Sequence, residues 1–134
     1  MRVMRETPCP CGSGLLLVAC CGPRHDGSRP AETAEALMRS RYAAFALGLG
    51  EYLVATQAQQ PGQESAEALS AWARTVEWQG LKVLRSERGQ PTDARGTVEF
   101  EARYLDAGRV VVLHELSRFD RPKGRWRYLN GRQR

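Results

Sequence analysis

All four cysteines of the chain lie in one short N-terminal segment, Cys9-Pro-Cys11-Gly-Ser-Gly-Leu-Leu-Leu-Val-Ala-Cys20-Cys21-Gly. One residue separates the first pair, the second pair is adjacent, and eight residues lie between the pairs. Four thiolates at this spacing can surround a single tetrahedral ion, and Zn²⁺ is the metal that favours such a sulfur set. Because the protein would supply all four ligands, we expect a structural site and not a catalytic one.

Disulfides or free thiols are the alternatives to a metal. Four cysteines allow three pairings, although bridges within Cys9–Cys11 or Cys20–Cys21 would be strained. The sequence begins Met-Arg-Val-Met-Arg-Glu-Thr-Pro, without an apolar signal segment. We therefore expect a cytoplasmic protein with reduced thiols, which favours zinc. His25 is a further ligand candidate, but a loop histidine is the simpler interpretation because four thiolates already complete the shell.

The net charge of +5 comes from the end of the chain. Residues 120–134 carry six basic side chains and one acidic side chain, whereas residues 1–119 hold 14 of each sign. Such a tail can contact phosphates, but a solvated terminus is the simpler interpretation, and no aromatic platform for single strands accompanies it. Nucleic acid is therefore a less favoured partner than protein. No apolar run is long enough to span a membrane.

Helical periodicity dominates the first half of the remaining chain. Residues 31–49 are predicted to form a long helix that starts after Pro30, ends at Gly48 and Gly50, and buries Ala34, Met38 and Tyr42. Shorter helices are predicted over residues 51–57 and 65–74. In the latter, Ser65 is the expected N-cap, and Leu69 and Trp72 are expected to face inward.

Alternating patterns predict four strands, over residues 75–87, 96–105, 109–119 and 125–130. Gly80 is a candidate bulge, and Asp106-Ala107-Gly108 is a candidate hairpin turn. Helices followed by an antiparallel meander indicate an α+β fold, with the helices packed on a curved four-stranded sheet that forms a cone-like cavity. We expect two parts: a knuckle and linker over residues 1–29, and the α+β cone-like domain over residues 30–134.

Two resemblances support this organisation. The cysteine segment resembles the SEC-C motif, which in the SecA translocation ATPase binds zinc and contacts the SecB chaperone. The remainder resembles the YchJ-like family of uncharacterised bacterial proteins, through Trp78-Gln79-Gly80-Leu81, Leu113-His114-Glu115-Leu116-Ser117-Arg118-Phe119 and Gly124-Arg125-Trp126-Arg127-Tyr128-Leu129-Asn130-Gly131. The resemblance implies a nuclear transport factor two-like cone fold. The apolar spacer Leu15-Leu16-Leu17-Val18 departs from the usual polar SEC-C spacer, and we expect it to dock on the chain's own domain rather than on a partner.

Polar residues suited to the cavity lie on the long helix and the strands. The candidates are Arg39, Arg41, Tyr42, Trp78, His114, Glu115, Ser117 and Arg118. His114 and Glu115 are neighbours on a strand, so their side chains point to opposite faces and cannot act as one pair. The ligand-cavity candidates are therefore Arg41, Tyr42, Trp78, Glu115 and Ser117.

Glu115 and Arg41 have two interpretations. Glu115, assisted by Arg41, is a candidate proton acceptor or ligand anchor, whereas a structural ion pair between helix and sheet is the simpler alternative. The three tryptophans, Trp72, Trp78 and Trp126, are expected in the core rather than stacked on a ligand. No catalytic residue is identified. We favour a zinc-binding adaptor module that contacts a protein or nucleic acid over the alternative, a small cone-fold enzyme or ligand-binding protein.

Overall fold

The computed structural model describes residues 7–134, so most of the segment on which the cytoplasmic prediction rests lies outside the described residues. A 3₁₀ helix (Leu17–Ala19) and helix α1 (Gly22–His25) belong to the cysteine segment. Helices α2 (Ala34–Leu47), α3 (Gly50–Ala55) and α4 (Ala66–Ala73) follow, and then strands β1 (Glu77–Arg88), β2 (Arg95–Asp106), β3 (Arg109–Asp120) and β4 (Arg127–Gln133). No helix among residues 7–134 has the length and apolar composition needed to cross a membrane. The α+β fold class is confirmed.

Helix α2 begins three residues later than predicted. Thr33 is its N-cap, and the Thr33 hydroxyl accepts a hydrogen bond from the backbone N–H of Ala36 at 3.0 Å. Pro30 therefore lies outside the helix. The Thr33 hydroxyl can accept a hydrogen bond from a free N–H group of the first turn, and a proline side chain has no acceptor that could do so. The helix ends at Gly48, whose φ of 72° is left-handed and favours glycine.

The shorter helices lie close to their predicted positions. Helix α4 is capped as expected, since the Ser65 hydroxyl accepts a hydrogen bond from Ala68 N–H at 3.1 Å. A single side chain connects α4 to the turn between α2 and α3. The Ser70 hydroxyl donates to the Gly48 carbonyl and accepts from the Gly50 N–H, each at 2.8 Å. These bonds hold α4 against the turn between α2 and α3.

The four strands form one antiparallel meander in the order β1-β2-β3-β4. The predicted bulge is present, because the register of β1 against β2 shifts between Trp78 and Gly80. Asp106 pairs with Arg109, and the two residues between them have φ values of 52° and 80°, as a tight hairpin requires. Strand β4 starts later than predicted. The preceding Trp126 is 4% exposed and donates its indole N–H to the Glu32 carbonyl at 3.0 Å.

Helix α2 packs across one face of the sheet and forms the core. The predicted alternation in β2 is confirmed, with Val98, Phe100 and Ala102 buried on the face toward the helix. They pack with Leu37, Met38 and Tyr42 of α2 and with Phe119 and Trp126. Trp126 is thus a core residue as predicted.

Candidate metal centre and cavity

The cysteine segment folds back on itself so that its two pairs of cysteines meet. Pro8 and Leu16 form an antiparallel bridge, and the Cys9 N–H donates to the Leu15 carbonyl at 2.9 Å. Left-handed φ values at Gly12 and Gly14, 79° and 87°, allow the reversal between them. Cys20 follows the 3₁₀ helix, and Cys21 immediately precedes α1. The second pair therefore lies between two short helical turns.

The four sulfur atoms have the arrangement that a tetrahedral metal site needs. They all lie within 4.8 Å of one another, and the four residues are buried. The Cys11–Cys20 and Cys20–Cys21 Sγ distances are 3.6 Å and 3.9 Å. Sulfurs bound at about 2.3 Å to a central Zn²⁺ would lie roughly 3.8 Å apart, so the donor set fits this ion. All four thiols are free, which contradicts the disulfide alternative.

Proton sharing couples the thiols. Hydrogen bonds from Cys21 and then Cys9 lower the pKa of Cys11, whereas the bond to Cys11 raises the pKa of Cys21 and brings the pKa of Cys9 to about 11. Several thiolates so close together repel one another, and a dication at their centre would remove that repulsion. The Ser13 hydroxyl, 3.1 Å from the Cys20 sulfur, and the Arg24 guanidinium, 3.6 Å from the Cys21 sulfur, add further hydrogen bonds. This cluster is therefore suited to a cation.

Helix α2 supports the cysteine knuckle, by which we mean the segment from Cys9 to Cys21. Arg39 donates to the Cys11 carbonyl at 2.8 Å, and the ring of His25 donates to the Ser40 carbonyl at 2.8 Å. The cysteines share an apolar cluster with Leu17 and with Ala43 of α2. Among the described residues the metal-binding group comprises the four cysteines. His25 is not the loop residue that the simpler interpretation predicts, because it is the last residue of α1 and its ring is hydrogen-bonded to Ser40.

The apolar spacer docks on the domain through Leu17 alone, and not as a whole as predicted. Leu17 alone turns inward and is 6% exposed. Leu15, Leu16 and Val18 are 53%, 45% and 53% exposed. The bridge to Pro8 and the 3₁₀ helix set the path of this segment, and Leu17 is the spacer side chain that packs in the cluster of the cysteines. The knuckle thus carries an exposed apolar surface, which we call the spacer surface.

A cavity of about 300 Å³ lies between α2 and the sheet, as the cone-like fold predicts. Its aromatic end consists of Phe45, Trp72, Trp78 and Tyr104, and the ring centroids of Trp78 and Tyr104 are 5.0 Å apart. Trp72 is 40% exposed, so this tryptophan is not the core residue that the sequence predicts. The cavity opens to solvent beside Trp72.

The polar end of the cavity contains Arg41, Glu115, Ser117 and Tyr128. One Glu115 oxygen, Oε2, accepts from the Ser117 hydroxyl at 2.6 Å and from the Tyr128 hydroxyl at 3.1 Å. Arg41 and Glu115 do not form the ion pair that the sequence suggested. Arg41 instead donates to the Leu53 carbonyl, the Thr56 hydroxyl and the Gln57 side chain, at 2.8, 2.8 and 3.0 Å.

Burial controls the electrostatics of this end. Desolvation lowers the pKa of Arg41 to about 10, which still leaves the guanidinium charged at neutral pH. Its charge lies over the face of the Tyr128 ring, 4.8 Å from the centroid. Burial, and then the nearby Glu115, raise the pKa of Tyr128. The Tyr128 hydroxyl therefore stays protonated and acts as a donor to Glu115.

The five ligand-cavity candidates Arg41, Tyr42, Trp78, Glu115 and Ser117 all line the cavity. The other polar residues considered lie elsewhere. Arg39 contacts the knuckle, and His114 donates to Glu99 on the opposite face of the sheet at 2.6 Å. Sequence reasoning missed Gln57 and Tyr128. Tyr128 has a usable signal, because it belongs to the YchJ-like segment from Gly124 to Gly131, whereas the contact of Gln57 depends on long-range packing.

Part of the basic tail serves the fold. Arg127 forms an ion pair with Asp120 at 2.7 Å, and the hydrogen bond that it donates to this carboxylate raises the pKa of Arg127. Arg121 donates to the Pro91 and Gly124 carbonyls and lies over the Trp126 ring. These two cations already have partners within the chain, which leaves fewer for phosphates.

The fold and the cysteine cluster define a class of protein: an α+β cone-like domain that carries an N-terminal four-cysteine knuckle. Residues 33–131 match the family model described as YchJ, middle NTF2-like domain. A UPF0225 protein from Chromobacterium violaceum is 50% identical over 125 residues, which cover 92% of this chain and 90% of the relative. The chain therefore belongs to the YchJ family.

Two solved structures are similar to this chain over most of its length. The solution structure of a SEC-C motif containing protein from Rhodopseudomonas palustris has a TM-score of 0.80 and 39% identity, covering 92% of this chain and 96% of that one. The crystal structure of a SEC-C motif containing protein from Psychrobacter arcticus has a TM-score of 0.79 and 33% identity, covering 97% and 84%. The SEC-C and YchJ-like resemblances are confirmed.

Proposed function

We propose that the four cysteines hold one structural Zn²⁺ and that the knuckle built around it is a protein-binding adaptor. The observation that carries the first part is the convergence of four buried sulfurs within 4.8 Å, a donor set that favours zinc over harder ions. Since free thiols persist in reducing compartments, the proposal also places the chain in the cytoplasm.

Metal content and thiol reactivity test the zinc site. Protein purified without added metal is expected to contain one zinc per chain, and its thiols to react only after chelation or denaturation, because metal-bound sulfurs are blocked. Cys11→Ser should lose the metal. Ala19→Ser, an exposed change within the same knuckle, should keep it. A wild-type chain with four reactive thiols and no metal would refute the zinc assignment.

The spacer surface supports the adaptor role. Three neighbouring apolar side chains that are about half exposed are costly in water and are typical of interaction sites. Their position on the knuckle ties partner binding to the metal, because the same short loop supplies Leu15, Leu16 and Cys20. The resemblance to SEC-C makes the SecB chaperone the first partner to try.

Calorimetric titration of the zinc-loaded chain with purified SecB tests this role directly. We expect binding that Leu15→Ser/Val18→Ser weakens at least tenfold. Val110→Ser/Val112→Ser is the matched control, since these valines are 57% and 44% exposed and lie on β3, which contributes no residue to the knuckle's apolar cluster. If SecB does not bind, the same variants are compared in cross-linking experiments, and each captured protein is purified and titrated. Equal binding by both double variants would exclude the spacer surface.

A further inference from the structure

The cavity has the features of a second binding site that is separate from the knuckle. Its volume of about 300 Å³ is at the lower end of the roughly 300–1,000 Å³ range of small-molecule sites. Most of its wall is aromatic or aliphatic, with the aromatic rings at the mouth and the polar groups at the other end. A compact organic molecule with an apolar body and one polar group matches this division.

One oxygen of Glu115 is available to such a molecule. Oε2 accepts two hydrogen bonds, whereas Oε1 has no hydrogen-bond partner among residues 7–134. In that same part of the chain, every buried side-chain oxygen or nitrogen atom has a hydrogen-bond partner. Oε1 is therefore accessible, and Glu115 is one of the residues that line the cavity. The cavity thus presents one strong acceptor that its own walls leave unused.

The charges that line the cavity select against ions. Arg41 and Glu115 are the charged lining residues, and their formal charges cancel. Three N–H groups of Arg41 already bind Leu53, Thr56 and Gln57, so an anion would find few donors and would face the Glu115 carboxylate. A cation would meet the opposite problem at Arg41. A neutral ligand avoids both costs.

We propose that this cavity binds a neutral one- or two-ring organic molecule that donates an O–H or N–H hydrogen bond to Oε1 of Glu115. The rings of Trp72, Trp78 and Tyr104 contact the apolar body of the ligand. Ser117 and Tyr128 hold the carboxylate in position through its other oxygen. The site does not depend on the zinc or on the spacer surface.

Three probes with one shared ring system test the proposal. The neutral donor 2-naphthol is expected to bind, measured by calorimetry and by chemical-shift changes of the Trp72 and Trp78 indole groups. The ether 2-methoxynaphthalene lacks the donor, and 2-naphthoate is an anion. Each should bind at least about tenfold more weakly, because a hydrogen bond to a charged group is lost or a repulsion is gained. No preference among the three, or no binding at millimolar concentration, would overturn the proposal.

The variant Glu115→Gln identifies the acceptor. Its amide oxygen can still accept from Ser117 and Tyr128, which turns the NH₂ group toward the cavity and reverses the polarity of the site. The preference for 2-naphthol over the ether should disappear. Glu101→Gln makes the same change on the opposite face of the neighbouring strand and should leave the preference intact. A preference that survives in Glu115→Gln would overturn the proposal.

A second variant covers the case in which Glu115→Gln fails to fold. Leu113→Phe adds volume at a partly buried position of the cavity wall, and its effect needs no change in charge. Binding of 2-naphthol should fall at least tenfold while the spectrum of the sheet is kept. Unchanged affinity in the folded Leu113→Phe variant would show that the probe binds elsewhere.

Discussion

At the scale of single residues, Gly131 shows how an absent side chain shapes the cavity. It pairs with Ser117 across β3 and β4, and a Cβ atom at this position would lie 1.8 Å from Oε2 of Glu115. The carboxylate occupies the space that the glycine leaves free. Gly131→Ala should therefore displace Glu115 from both of its donors and destabilise the protein by about 1–3 kcal/mol, measured by urea denaturation.

A double-mutant cycle with Tyr128→Phe separates this effect from general overpacking. In the wild-type background, loss of the tyrosine hydroxyl should cost about 1 kcal/mol, because Glu115 loses a donor. In the Gly131→Ala background, the same change should cost little, since the bond to Tyr128 is already broken. Additive costs would mean that the alanine is accommodated without moving the carboxylate.

At the scale of secondary-structure elements, local patterns predict most of the fold. The alternation Val98, Phe100, Ala102 places β2 within a residue of its observed bounds, since period-two burial needs no knowledge of distant contacts. The same reasoning puts Glu115 and Ser117 on the cavity face. The cysteine pairs are likewise a local signal, because sequence spacing alone brings them around one point.

The errors lie where an element depends on a distant partner. Pro30 suggests a helix start, but the Glu32 carbonyl accepts from Trp126 and the chain turns into the helix only after Thr33. Arg41 looked like an ion-pair partner for the sheet, yet its guanidinium binds α3 and the residues just after it. Leu15, Leu16 and Val18 are apolar but exposed. The bridge between Pro8 and Leu16 fixes the path of the spacer, and the hydrophobicity of these side chains does not bury them. In each case the observed structure depends on contacts with residues outside the short stretch of sequence on which the prediction rests.

At the scale of the whole molecule, the knuckle contacts one face of α2 and Leu81 of β1, while the core uses another face of α2. Arg39, Ser40 and Ala43 face the knuckle, whereas Leu37 and Met38 pack in the core. Among the described residues, β2 and β3 contribute no side chain to the knuckle's apolar cluster. The division into residues 1–29 and 30–134 stays a prediction, because the knuckle also contacts Leu81 of β1 and the ring of His25 lies 4.8 Å from that of Tyr52 in α3.

Loss of the metal should accordingly loosen one unit and leave the other folded. In Cys11→Ser, or after chelation, amide hydrogen exchange is expected to rise across the segment from Cys9 to His25 and to a lesser degree in the part of α2 that faces it, because the bonds from Arg39 and His25 lose their rigid acceptor and donor. Exchange in β2 and β3 should stay within error of the wild type, and Ala19→Ser should change neither region. Exchange that rises throughout the sheet would instead mean that the domain cannot fold without its knuckle, and the two units would then be a single cooperative one.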